Sequence, residues 1–234
     1  DVERSRGLGD VYKRQISGPG CPVCVTVAEY IDVLVDYSRQ ENTVVVSFGD
    51  MLRVPGSKES LKDTMALGGK VKMVYSPLEM LDMAEKNKST VYIFAAVGFE
   101  TTTPIYAVLI EEAIKRNLTN IKLLTALKTM PKAIEFLCES GSKIDGFLAP
   151  GHVAVITGAN EFKSLAVKYN LPFVVSGFEG KELIASIYAL AKLVGRGEVR
   201  NLYKRAVSEN GNETARKSVL KYFEPCDACL LYTS

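Results

Sequence analysis

The chain has 234 residues, 47% hydrophobic and 24% charged, which argues for one large or two modest folded domains and against global disorder. A net charge of +2 makes no electrostatic case for nucleic acid, and no apolar run approaches the ~18 residues of a membrane span. The N-terminus is charged and shows no signal peptide, and five cysteines in a chain this long do not form a secreted disulfide framework, so a cytoplasmic location is expected.

Residues 1–15 carry charge without periodicity, and 229–234 follow a helix-like segment with no stop signal. Both read as non-native tails, leaving 16–228 as an interior part of something longer. Gly18-Pro19-Gly20-Cys21-Pro22-Val23-Cys24 comes next, followed by a helical stripe over 25–40. If that helix starts at the motif, Cys21 is its N-cap and Pro22 its first residue, and the helix dipole favours thiolate. Residues 43–48 form an apolar, β-branched run expected of a buried parallel strand. A loop with Asp50 and Arg53 follows, then a helix over 58–67, a strand over 71–75 and a helix over 77–87. Another buried strand spans 90–97. Its loop, GFETTT, holds Glu100 and Thr101–Thr103, with Thr103 a candidate N-cap before Pro104. Strands at 121–126, 145–149 and 172–176 alternate with helices at 131–139, 161–169 and 181–194. The loop Pro150-Gly151-His152 follows the first of the last two strands, and Glu179 follows the second. After residue 197 only a helix over 213–223 is legible.

Alternating strand and helix means βαβ units and parallel sheet, in an α/β fold. Six strands allow one doubly wound sheet or two smaller ones. The element lengths suggest a first lobe over 16–88, a second over 89–200, and a helical return segment over 201–228. Ligands of open α/β sheets bind beyond the strand carboxyl ends. There the loops gather Cys21, Cys24, Asp50, Arg53, Glu100, Thr101, His152 and Glu179.

Each of these residues has a plainer reading. The thiols could be a structural pair, a redox dithiol or half of a metal site, and a structural zinc site needs four ligands. Asp50 and Arg53 could be a local ion pair. His152, the single histidine, could be a satisfied core residue, and Cys138 reads as core. No P-loop or GxGxxG follows a strand, so a nucleotide site has little support.

Four blocks, SGPGCPVCVT (17–26), FGDMLRVPGS (48–57), GFETTTP (98–104) and PGHVAVITG (150–158), closely resemble in order the signature blocks of the HypD family of [NiFe]-hydrogenase maturation proteins. SGFE (176–179) and FEPCDA (223–228) fit the same pattern. The resemblance implies two Rossmann-like lobes facing a cleft and a scaffold that builds the Fe(CN)2CO unit. It implies work with a HypC-type chaperone, cyanide supplied by HypE and HypF, and carbon monoxide binding at iron. It assigns Cys21 and Cys24 a redox-active role and places Asp50, Arg53, Glu100, Thr101, His152 and Glu179 in the cleft. The family's iron-ligating Cys-Gly-Thr-His motif and the cysteines of its [4Fe-4S] cluster lie outside this sequence, so no resident cluster is expected here. GFEGKE (177–182) departs from the family's usual GFEP continuation. A stand-alone thiol-disulfide oxidoreductase is the alternative reading.

Overall fold

The structure, a computed structural model, describes residues 18, 20–224 and 226. The two tails read from the sequence lie outside the described residues, as does Cys229.

Two parallel sheets organise the chain. In the first, β1 (Thr43–Ser47), β2 (Val71–Met73), β3 (Val91–Gly98) and β4 (Ile121–Leu127) lie in the order β2-β1-β3-β4. Helices α1 (Ala28–Arg39) and α2 (Leu61–Ala66) cover one face, burying Ile31, Leu34, Val35 and Leu61 against Val45, Ala95, Val97 and Ala126. Helices α3 (Glu79–Lys86) and α4 (Thr103–Lys115) cover the other, burying Met80, Leu81, Tyr106 and Leu109 against Val46, Phe94 and Ala96. β1 and β3 are apolar on both faces because helices pack on both.

The second sheet holds β5 (Phe147–Pro150), β6 (Phe173–Ser176) and β7 (Val199–Asn201), in that order and all parallel. Around it lie α5 (Met130–Glu139), α6 (Gly151–Thr157), α7 (Lys163–Tyr169) and α8 (Gly180–Leu193). Its core is Phe162, Leu165, Phe173 and Val175, with the Phe147 and Phe173 rings stacked at 4.9 Å. α9 (Glu213–Tyr222) then packs on α4 of the first lobe and α6 of the second. Phe223 joins the first lobe's core.

The expected α/β class is observed, resolved into two sheets. The lobe boundary differs from the expectation at 88/89. β3 and β4 pair with β1, so the first sheet runs to Leu127 and the second begins at Phe147. Alternation of strand and helix says nothing about which sheet a strand joins. Two elements escaped the reading. β7 is three residues long, and α6 occupies the stretch read as a loop around His152.

Candidate functional site

In the order β2-β1-β3-β4 the chain reverses direction between β1 and β3. That is the switch point of a doubly wound sheet, where ligands bind at the carboxyl ends. The loops there carry Asp50 after β1 and Glu100 after β3. α1 feeds β1 and runs antiparallel to it, so the turn before α1 reaches the same end of the sheet.

That turn is Pro22–Val25; it holds Cys24, Cys21 immediately precedes it, and both thiols lie outside a helix. α1 starts at Ala28, capped by Val27 without a side-chain bond. The cause is local. Val25, Thr26 and Val27 are β-branched and disfavour helix. Thr26 instead donates its amide to Val23 O (3.2 Å) and its hydroxyl to Pro22 O (3.0 Å), closing the turn. The dipole argument for an acidified thiol therefore fails. A different cause replaces it: the Cys24 thiol, with the amides of Cys24 and Val23, hydrogen-bonds Cys21 Sγ and holds it below the ordinary thiol range. Cys24 is pushed up, first by its bond to Cys21 and then by that group's charge. The Asp50 carboxylate raises both thiols, which places it electrostatically beside the pair. Cys21 is half-buried and Cys24 exposed.

Asp50 accepts from the Met51 amide (2.9 Å) and caps the short 3-10 turn Met51–Arg53. Among the described residues no side-chain ion pair joins it to Arg53. Glu100 Oε1 accepts from the Met130 amide at 2.7 Å, so the loop after β3 caps α5, the first helix beyond the first sheet. Its other oxygen, Oε2, is buried without a partner, and burial raises the carboxyl pKa. Thr101 is exposed. Thr103 is not the N-cap expected of it; it lies inside α4 and donates to Phe99 O (3.0 Å), leaving Thr102 at the cap.

The remaining two candidates gather at the carboxyl end of the second sheet. His152 lies in the first turn of α6, its ring 5.4 Å from that of Phe178, and partial burial lowers its pKa. Glu179 is the N-cap residue of α8, and its amide donates to Glu182. The Glu179 carboxylate pairs with Arg205 (2.7 Å) and Lys181 (3.2 Å), and both hold its pKa down. Gly180 and Lys181, the departures from the family pattern, open α8 without disturbing its start. Phe178 and Arg205 are functional candidates that the sequence reading missed. Phe178 is a large exposed aromatic within the SGFE block, the signal that would have found it.

The structure thus forms two groups. Cys21, Cys24 and Asp50 interact at the first sheet, beside the loop of Glu100. His152 with Phe178, and Glu179 with Arg205, sit at the second. Burial is the main cause of the raised Glu100 pKa, and the like charge of Glu161 in the second lobe adds to it. Among the described residues no three His, Cys, Asp or Glu side chains converge as a metal donor set. A [4Fe-4S] cluster, which takes four thiolates, does not fit the donors present among the described residues.

Fold and site together define a two-lobed α/β protein with a thiol pair at the switch point of its first sheet. The chain belongs to the HypD family, whose model, described as "Hydrogenase formation hypA family", matches residues 8–231. It is 36% identical over 212 residues to the hydrogenase maturation factor HypD of Rhodobacter capsulatus, covering 89% of this chain and 56% of the relative. It is 38% identical over 231 residues to HypD of Rhizobium leguminosarum bv. viciae, covering 93% and 60%. It is 37% identical over 221 residues to HypD of Cupriavidus necator, covering 90% and 58%. The chain therefore spans less than two thirds of the length of these relatives. No helix among the described residues is long and apolar enough to cross a membrane.

Proposed function

We propose that this chain is the dithiol-bearing core of a scaffold on which the Fe(CN)2CO unit of [NiFe]-hydrogenase is assembled. A HypC-type chaperone shares the iron, and HypE and HypF supply cyanide. The observation that carries the reading is the thiol pair lying with Asp50 at the β1/β3 switch point, in a chain of the HypD family.

Iron carrying cyanide and carbon monoxide is the cargo, and it suits soft thiolate donors. Closing Cys21 and Cys24 into a disulfide forms one S–S bond and releases two electrons and two protons. A ligand precursor being reduced as it is placed on the iron cargo takes up both electrons and both protons, which balances the step. Cys21, the thiol held acidified, loses its proton first, and Cys24 carries the second. Asp50 puts negative charge beside the pair and opposes the accumulation of two thiolates. Arg53, Thr101, His152 and Glu179 contact the chaperone or the cyanide-supplying proteins, with the exposed Phe178 ring beside His152 as an apolar anchor.

The test is hydrogenase maturation in cells carrying the complete polypeptide with Cys21→Ala and Cys24→Ala. Hydrogenase activity is expected to fall to background while the protein accumulates normally. Full activity in that double variant overturns the proposal. Reduction of insulin disulfides by the purified chain at the rate of a dedicated thiol oxidoreductase would replace it with the stand-alone reading.

A further inference from the structure

The loop that leaves β1 does not hang free beyond Asp50. It runs to a tight reversal at Pro55–Ser60, where those two residues form a β-bridge and the Gly56 amide donates to Glu59 O (3.0 Å). A two-pronged bond fastens this reversal to α1. Asp32, in the second turn of the helix, accepts from the Ser57 amide through Oδ1 (2.8 Å) and from the Ser57 hydroxyl through Oδ2 (2.6 Å). Gly56 makes the approach possible, since a Cβ there would fall 2.5 Å from Asp32 Oδ1 and 2.8 Å from Glu59 O. The Ser57 hydroxyl, and then its amide, hold the Asp32 carboxyl below its usual range, so it remains an ionised acceptor at neutral pH. A second tie follows two turns along the helix. There Arg39 pairs with Glu59, whose carboxylate also accepts from the Thr64 hydroxyl of α2 (3.1 Å).

The same two segments meet at the start of α1. Val23 of the thiol turn and Val27 at the N-cap pack against the buried cluster that contains Met51 and Leu52, the residues directly after Asp50. α1 therefore carries the thiol turn at its head and, within its second turn, the anchor of the loop that bears Asp50. Apolar packing is non-directional, whereas a two-pronged, charge-assisted bond adds geometric specificity. That specificity matters here because a charge acts on its neighbours according to distance. At Cys21 the acidifying bond from Cys24 outweighs Asp50, which opposes it; at Cys24 Asp50 adds to the rise caused chiefly by Cys21.

We propose that Asp32 is a positioning residue for the thiol pair: its bond to Ser57 locks the β1 loop to α1 and so fixes Asp50 against Cys21 and Cys24. The inference deepens the reading of the pair as the working dithiol and rests on it. Asp32 acts through Asp50 and not on the sulfurs themselves. Gly56 and Ser57 serve the same clamp, which gives the PGS end of the FGDMLRVPGS block a use at the thiol site.

The test is the pH profile of iodoacetamide alkylation of the intact chain, read at each cysteine by mass spectrometry. Gly56→Ala pushes the loop off Asp32 without changing a charge, and Ser57→Ala removes one prong. Each is expected to lower the Cys21 midpoint by ~0.3–0.7 pH unit, seen below the midpoint as alkylation about two- to fivefold faster. Asp50→Asn is expected to lower it likewise. Gly56→Ala added to Asp50→Asn should bring no further shift, because the clamp works through that carboxylate. Wild-type midpoints in both clamp variants overturn the proposal, and so does an undiminished clamp shift once Asp50 is already replaced. If Gly56→Ala does not fold, Ser57→Ala, alone and with Asp50→Asn, decides. Hydrogenase maturation is not part of this readout, so the clamp and the proposed function fail separately.

Discussion

The Cys24 side chain is the largest influence lowering the Cys21 pKa, and Cys21 is the largest influence raising that of Cys24. The thiolate is the nucleophile. A thiol held below its ordinary range stays thiolate to lower pH and is the first to be alkylated as pH rises from acid. Iodoacetamide is therefore expected to label Cys21 before Cys24, with the Cys24 midpoint displaced upward. Cys24→Ala removes the largest influence acidifying Cys21 and should move the Cys21 midpoint up. Mass spectrometry of the labelled protein across pH checks both expectations, and identical midpoints would refute the ordering. The sequence shows that these thiols belong together, but not what acidifies them. Three β-branched residues, Val25, Thr26 and Val27, delay the helix and hand the task to a turn. Glu100 was legible as unexplained by local capping, and its use is non-local: it caps α5, thirty positions further on. Spacing within a motif cannot reveal a partner that the fold brings in.

At the scale of elements, the junction of α6 with the approach to α9 depends on two glycines. Gly158 has φ +89° and a Cβ there would fall 2.4 Å from Glu209 O; Gly211 has φ +72° and a Cβ there would fall 2.3 Å from Ile156 O. The two backbones lie too close for any side chain. Gly158→Ala combines that clash with left-handed strain and is expected to cost roughly 1–3 kcal/mol, measured as the shift in a urea unfolding midpoint. A change within error would mean the junction relaxes freely. Most elements were legible because their apolar residues keep one period throughout, as in β1, β3 and α8. α6 was not. Its GHVAVITG stretch opens on Gly151, packed against the Ser176 carbonyl, and a small residue in a tight place carries no periodic signal. β7 was missed because three residues with the exposed Arg200 in the middle cannot be told from a loop.

Over the whole molecule, two sheets with separate cores are held together by few groups, and α9 is the chief of them. Arg216 on this helix donates to Thr157 O (3.3 Å) and Asn210 O (3.1 Å) of the second lobe, while the helix packs on α4 of the first. Its pairing with Glu161 at 3.8 Å is half-exposed and adds little. Arg216→Ala is expected to lower stability by about 1 kcal/mol and to speed tryptic cleavage at Lys204 and Arg205, just before the strap. Unchanged cleavage would show that α4 alone holds α9. The two-lobe architecture could be read from the sequence, but its dividing line could not. A strand's sheet is chosen by pairing across the fold, and β3 finds β1 across the intervening β2 and its helices.

The first sheet is continuous in the chain from Thr43 to Leu127, whereas the helix that ties the lobes together ends at Tyr222. This fixes an order of events on the ribosome. At about 5–20 residues per second, the four paired strands exist roughly 5–20 s before α9 has been made. Throughout that interval the thiol turn is already in place while the α4 face that will carry α9 is still bare. A nascent chain thus offers its dithiol to solvent before its lobes are locked, and α4 is the surface a chaperone of synthesis would have to shield.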